Sequence, residues 1–509
     1  QTFFYCPSIF FLLSNFVFNF PLPMSITLSD LTREPEFLEK TFHYCEKNKL
    51  FRCVSISAKI NRPLPNNLAY GALRSLVLKY PLLFSRIAGE EPHVRYEPIE
   101  EISFADVFSV NTTVDKCFKD KDAETSVLTD MTFSENYRLK KAMWKLVYYE
   151  KTGWVTFHSA HSFTDGGSVV AYLKDFVESL NHVTDAEAKS TLFSLDQDLS
   201  LLKYPISPGF LERVDYQADF ATKLFARGLK LAIWYWPTIV PNVVEKKRFE
   251  LFFVGRTPEP FSPDLVWQSD HVIGANSPLN FTKAVFINFD TDSLGKMLAA
   301  CRAHDVKLQS FILLVYAHTI NTLYPELYSA KNLKTGVAAS LRNRFDTLET
   351  HSSYLGNKGR FDDGLYTYAA TFLLEPGTTF SWEAVKKYHD FIHEKVSSAD
   401  WIKQYYIADQ SLTAESYLDH RLDTEGDTLF LSSTNLGHID VLLYEDEKYQ
   451  IEDILFAPCV GALLGMHHVT VLSTAKGGLN LGLTIGDENV DSPKFKKAFS
   501  ENLLLLTSS

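Results

Sequence analysis

The spacing of apolar residues changes along the chain, and each change marks an element. Leu50 to Ile60 (LFRCVSISAKI) alternates as a strand does. From Asn66 to Ser85, Leu68, Ala72, Leu76 and Tyr80 recur at helical spacing until Pro81 stops the helix. Val94 to Pro98 and Trp144 to Tyr149 read as strands, and Ser25 to Phe42 as a polar helix. Trp154 to Phe157 is aromatic and β-branched, which suits a buried strand. Beyond it Val169, Leu173, Phe176 and Leu180 predict a helix capped by Thr164 or Asp165. Ala186 to Pro208 is polar, with Pro205 and Pro208, and reads as a loop. Asp219 to Trp236 is helical and ends in Trp234, Tyr235 and Trp236, rings expected to pack in a core or crossover.

A second set of elements follows a proline-rich stretch. Pro237 to Pro278 lacks long periodicity and predicts a crossover linker. Ala284 to Asp290 reads as a strand. Thr291 to His304 reads as a helix capped by Thr291 or Asp292, and Leu308 to Leu323 as a buried helix. Strands are expected at Leu333 to Ser340, Tyr366 to Leu374, Leu429 to Asn435, His467 to Ser473 and Leu479 to Thr484, with a helix at Ser381 to Lys395. The alternation predicts an α/β (α+β layered) fold of two halves, each a mixed sheet covered by helices. The expected organisation is an apolar leader at 1–23, a first half at 24–232, a linker at 233–280 and a second half at 281–509.

Composition narrows the function. A chain of 509 residues is too long for one ordinary core, and 39 Phe with 24 Tyr supply material for large ones. The net charge of -12 argues against a nucleic-acid partner, whose footprint is basic. Cys6, Cys45, Cys53, Cys117, Cys301 and Cys459 show no Cys-x-x-Cys spacing, which suits free thiols in a reducing, intracellular and cytoplasmic setting. Residues 1–23 are uncharged but lack a basic n-region and a small-residue cleavage site. They read either as an upstream extension without a fold role or as a membrane-associating segment. No other stretch reaches the roughly 18 consecutive apolar residues of a span.

The chemistry concentrates between Gly153 and Gly167, GWVTFHSAHSFTDGG. His161 falls on the tight strand-to-helix loop, followed four residues later by Asp165-Gly166. Such a loop can hold an imidazole with one ring nitrogen open to a substrate. Imidazole has a reference pKa of about 6.5 and can therefore accept a proton near neutral pH. His158-x-x-His161 and His467-His468 lack third and fourth ligands at metal spacing, so no metal is expected. Lys246-Lys247-Arg248 reads as a solvated face.

Several segments fall into one order: ALRSLVLKYPLLFSRI, FHSAHSFTDGGS, AVFINFDTDSLGKMLAACRAHDVKLQSFILLVYAHTI, VAASLRNRF, Tyr354-Leu-Gly-Asn357 and Ser433-Thr-Asn-Leu-Gly437. In these the chain resembles the HxxxDG coenzyme A-dependent acyltransferases, most closely the fungal alcohol acetyltransferases. The resemblance implies two chloramphenicol-acetyltransferase-like halves with an active-site tunnel between them. It implies His161 as general base, with Asp165 and Gly166 shaping its loop and Arg342 as the partner of Asp165. Thr434 and Asn435 match the hydroxyl and amide beside the developing oxyanion. It also implies acetyl-CoA as co-substrate, no permanently bound cofactor, and a small or lipophilic alcohol as acceptor in a monomeric enzyme, with contact to a membrane or lipid droplet. Here Ala160 stands where relatives often carry an adjacent histidine, Thr434 stands for the usual Ser, and the plant branch's DFGWG is absent. Three functions are compatible: an alcohol O-acetyltransferase forming acetate esters, an N-acetyltransferase of a long-chain, sphingoid-base-like amine, and a non-catalytic acyltransferase-like binding protein.

Overall fold

The computed structural model describes residues 26–90, 93–120, 128, 131, 141–183, 187–236, 282–342, 362–397, 400–423, 429–441, 448–459 and 465–507. The leader, Lys246 to Arg248, Tyr354 to Asn357 and the linker beyond residue 236 lie outside them.

Two sheets carry the fold. The first is built from β1 (Val54–Ile60), β5 (Phe108–Asn111), β6 (Trp144–Tyr149), β7 (Trp154–Ser159) and β13 (Ile451–Pro458), in the order β13-β1-β7-β6-β5. Only β5 and β6 are parallel. Two hairpin-like pairs flank it: β2 (Ser85–Ala88) with β3 (Arg95–Pro98), and β4 (Glu101–Ser103) with β8 (Thr191–Ser194). The second sheet contains β9 (Lys283–Phe289), β10 (Leu333–Ser340), β11 (Thr367–Leu374), β12 (Leu431–His438), β14 (His467–Thr474) and β15 (Gly478–Ile485). Its order is β11-β10-β12-β14-β15-β9, with β12 parallel to both neighbours.

Each sheet is covered by helices, as apolar faces require. Over the first packs α3 (Gly166–Leu180), with α2 (Asn66–Lys79) against α3 and β8, and α1 (Phe37–Lys47) beside the loop that follows β7. Two further helices are α4 (Phe220–Tyr235) and α5 (Thr291–Ala303). The second core encloses α6 (Leu308–Leu323), where Phe311 to Ala317 are all fully buried. Against it lie α7 (Trp382–Ser397) and the C-terminal α10 (Ser492–Leu505). Between them in sequence come α8 (Asp400–Ser411) and α9 (Ala414–Asp423), which pack on α1.

Strand β13 joins the halves. It comes from the second half of the sequence yet pairs antiparallel with β1 across its whole length, Val54 opposite Pro458 and Ala58 opposite Ile454. It also packs on β14 and β15 of the other sheet, where the Thr470 hydroxyl donates to the Phe456 carbonyl at 2.6 Å.

Some local expectations are corrected. Of the expected helix from Ser25 to Phe42, a 3-10 turn forms at Leu28–Leu31 and the α-helix starts only at Phe37, because Pro35 breaks the run; the Glu36 N–H at its start donates to the Glu39 carboxylate at 2.8 Å. Ala186 to Pro208 holds β8 and a helical turn, Leu195–Asp198, instead of a plain loop. Helix α5 is capped by Asp290, whose carboxylate accepts from the Ser293 N–H at 2.8 Å, not by Thr291 or Asp292. The rings ending α4 are in solvent, with Trp234 73% and Tyr235 67% exposed. Among the described residues no helix is long and apolar enough to cross a membrane.

Candidate active site

Strand β7 runs at the centre of the first sheet and stops at Ser159, where the chain turns into the loop carrying His161. Ala160 and Phe163 are fully buried, so the loop is anchored on both sides of the histidine. The imidazole lies against the Phe42 ring of α1, centroids 3.9 Å apart, with Phe51 5.7 Å away. Its Nδ1 is 2.6 Å from the Thr164 carbonyl oxygen. A carbonyl can only accept, so Nδ1 carries the proton and Nε2 keeps its lone pair. Burial lowers the imidazole pKa below its ordinary value, against the opposing pull of the Thr164 carbonyl and the Asp165 charge.

A second grip comes from α1. One oxygen of Glu46 accepts the His161 and Ser162 backbone N–H groups at 2.5 and 3.1 Å, and the other accepts the Ser162 hydroxyl at 2.7 Å. Burial pushes this carboxyl up to about 7 despite those donors. Nothing in the sequence marks Glu46, because it lies 115 residues away and binds mainly backbone.

Asp165 sits at the N-cap of α3. Its Oδ1 accepts from the Ser168 N–H and hydroxyl at 2.9 and 3.0 Å. Its Oδ2 accepts from Arg342 Nη1 at 2.6 Å and from the Tyr366 N–H at 3.0 Å. Burial alone would raise its pKa; the guanidinium and these bonds hold it below the ordinary carboxylate value. Arg342 also donates to the Asp362 and Gly364 carbonyls, so five polar groups of both halves meet at one buried ion pair. The contact needs Gly167, where a Cβ would come within 2.9 Å of Arg342 Nη1. Gly166 is equally close to the other half, its missing Cβ 2.8 Å from Leu436 Cδ2.

Leu436 lies on β12, and strand parity sorts the residues before it. Leu431 joins the second core, and the Ser433 hydroxyl accepts from Gln309 of α6 at 2.6 Å, so odd positions face the helices. Ser432 and Thr434 occupy the opposite face beside His468, which lies close to His161, while Leu436, at the irregularity after Asn435, reaches Gly166. Thr434 is half-buried there. Asn435 is exposed on the other face, and its side-chain oxygen accepts the Gly437 N–H at 2.7 Å. The structure thus brings Asp165, Gly166 and Arg342 to the His161 loop and leaves Asn435 outside it.

His468 is a further polar residue on this face. It is the register partner of Ser432, whose hydroxyl lies 2.5 Å from its Nδ1. Burial drives its pKa down to about 3, with His161 close enough to add to the shift. Its Nε2 is buried, with no hydrogen-bond partner among the described residues. His158 instead pairs with the Ser55 hydroxyl at 2.8 Å, and His467 with Tyr316 at 2.6 Å. Among the described residues no three His, Cys, Asp or Glu side chains are grouped to hold a metal ion.

A loop histidine thus lies between two sheet-and-helix halves of chloramphenicol-acetyltransferase type. The profile of the alcohol acetyltransferase family matches residues 36–503, and the chain belongs to that family. No curated protein matches it in sequence. Among solved structures it is similar to the TRI3 trichothecene 15-O-acetyltransferase of Fusarium sporotrichioides. That match has 12% identity and a TM-score of 0.59, covering 94% of this chain and 96% of that one. It is also similar to the condensation domain of the monacolin K polyketide synthase MokA, at 12% identity and TM-score 0.52, covering 93% and 96%. The starter condensation domain of rhizomide synthetase RzmA, solved with C8-CoA and Leu-SNAC, matches at 9% identity and TM-score 0.53, covering 95% of each chain.

Proposed function

We propose that the chain is an alcohol O-acetyltransferase that moves the acetyl group of acetyl-CoA directly to an alcohol. The observation that carries this is the Nδ1–H bond from His161 to the Thr164 carbonyl, which leaves Nε2 as a neutral acceptor. His161 Nε2 takes the hydroxyl proton as the alcohol oxygen attacks the thioester carbon. The tetrahedral adduct then collapses, the C–S bond breaks, and His161 returns the proton to the departing thiolate. No covalent enzyme intermediate is needed. Attack moves charge onto the carbonyl oxygen, and Thr434, on the strand face beside His468, is the hydroxyl proposed to stabilise it. Asp165 and Arg342 hold the loop from the far side and take no part in proton transfer.

The test is release of CoA thiol from acetyl-CoA by purified protein against a panel of alcohols and long-chain amines. Alcohol-dependent release that falls by about 10²–10⁴ in a folded His161→Ala variant supports the reading. Release with amines alone would make it an N-acetyltransferase. An alanine variant with unchanged turnover would remove His161 from the reaction.

A further inference from the structure

Among the described residues, helix α4 is partnered on one side only. Thr222 and Ala226 are buried and Leu229 and Ile233 half-buried, and this stripe lies on α8. The opposite side carries Phe220, Leu224, Leu231, Trp234 and Tyr235, all exposed. With Phe225 and Trp236, this one segment holds seven of the thirteen exposed large hydrophobic side chains among the described residues. Such a contiguous apolar face on a soluble surface marks an interaction site.

Charge selects the partner. Lys223, Arg227 and Lys230, at i, i+4 and i+7, form an exposed row along one edge of the apolar stripe. None of them pairs with an acid among the described residues, and the helix itself contains no Asp or Glu. The whole chain carries -12, so this helix reverses the sign of the molecule. A convex helix face with a basic edge, leucine and phenylalanine at its centre and Trp and Tyr at its end has the composition of a helix lying in a membrane interface. The aromatic rings suit the headgroup level, where one end is apolar and the other wet. At 16 residues α4 lies on a bilayer rather than through it.

We infer that α4 docks the protein on an anionic phospholipid surface, its apolar stripe in the acyl boundary and its cationic row on the headgroups. The placement has a consequence for the site. Helix α8 carries Trp401 and Ile402 into a cluster with Phe210, Leu341 and Tyr366, and the Tyr366 N–H donates to Asp165. The lipid-facing helix is therefore two packed layers from the ion pair that holds the His161 loop.

The inference does not depend on the acetyl-transfer reading, because binding is measured without turnover. Full-length protein is sedimented with phosphatidylcholine vesicles, with and without about 30 mol % phosphatidylserine. Association should be on the order of ten- to a hundredfold stronger with the anionic vesicles and should weaken as salt is raised. Lys223→Gln with Arg227→Gln and Lys230→Gln should reduce it to the neutral-vesicle level. Leu231→Ser with Trp234→Ser should abolish it on both. Thiol release with a water-soluble alcohol should be unchanged in both variants and reports their folding. Absence of association, or association indifferent to charge and to both variants, would overturn the inference. A dimer in lipid-free solution that Leu231→Ser with Trp234→Ser dissolves would assign the face to a second copy instead.

Discussion

His161 must be neutral to accept a proton, and Glu46 must be ionised to hold three donors at once. Both conditions fail in the same direction as pH falls. Glu46 takes up its proton near its raised value of about 7, and His161 at a pKa below its ordinary one. We expect kcat/KM to step down about tenfold through about pH 7, as Glu46 protonates, and then to fall with unit slope once His161 protonates. Glu46→Gln keeps an acceptor oxygen but cannot titrate. It should lower the plateau about tenfold, leave only the unit slope, and move the break to lower pH, all visible in one pH–rate profile. His468, held neutral at about 3, adds no limb to that profile. Strand parity separates the next pair. Thr434→Val keeps shape and removes the hydroxyl, so kcat should drop roughly 10²–10³ at constant acceptor KM. Asn435→Ala, whose side chain is turned to its own backbone, should remain within about threefold in the same assay.

Helix α3 begins where both halves touch it, and its two first glycines meet different neighbours. At Gly167 a methyl group would strike a guanidinium fixed by hydrogen bonds to Asp165, Ser168, Asp362 and Gly364. At Gly166 it would strike the end of Leu436, which can rotate. Gly167→Ala should therefore cost about 1–3 kcal/mol of overpacking, and Gly166→Ala less, so thermal midpoints should rank wild type, Gly166→Ala, Gly167→Ala. Elements with a local signal were legible in the sequence. The strands Trp144 to Tyr149 and Leu333 to Ser340 were read at their true ends, and Pro81 fixed the end of α2. The elements that escaped lack such a signal. Helix α8 packs on both α1 and α4, so DWIKQYYIADQS shows no single stripe. Strand β13 mixes Glu452 and Asp453 with apolar residues, and its partner is some 400 positions away. The same distinction holds in the site, where contiguous His161 and Asp165 stood out and remote Glu46 and His468 did not.

The two halves of the molecule are not two separable units, because the edge of the first sheet is supplied by the second half. A fragment covering residues 26–236 would keep the pairing of β1 with β7 but leave its other edge open along a buried row from Val54 to Ala58. Such an edge is a template for association. That fragment should aggregate when expressed alone and become soluble when co-expressed with residues 282–507; size-exclusion chromatography of both preparations decides it. The same strand sets an order in time. Ser159, the last residue of β7, leaves the ribosome about 300 residues before Pro458, an interval of about 15–60 s at ordinary elongation rates. For that interval the nascent sheet bearing the His161 loop has one open side. Its closure waits for β13, so the sheet beside the His161 loop is completed in one late step, and a chain ended before residue 451 should show no thiol release.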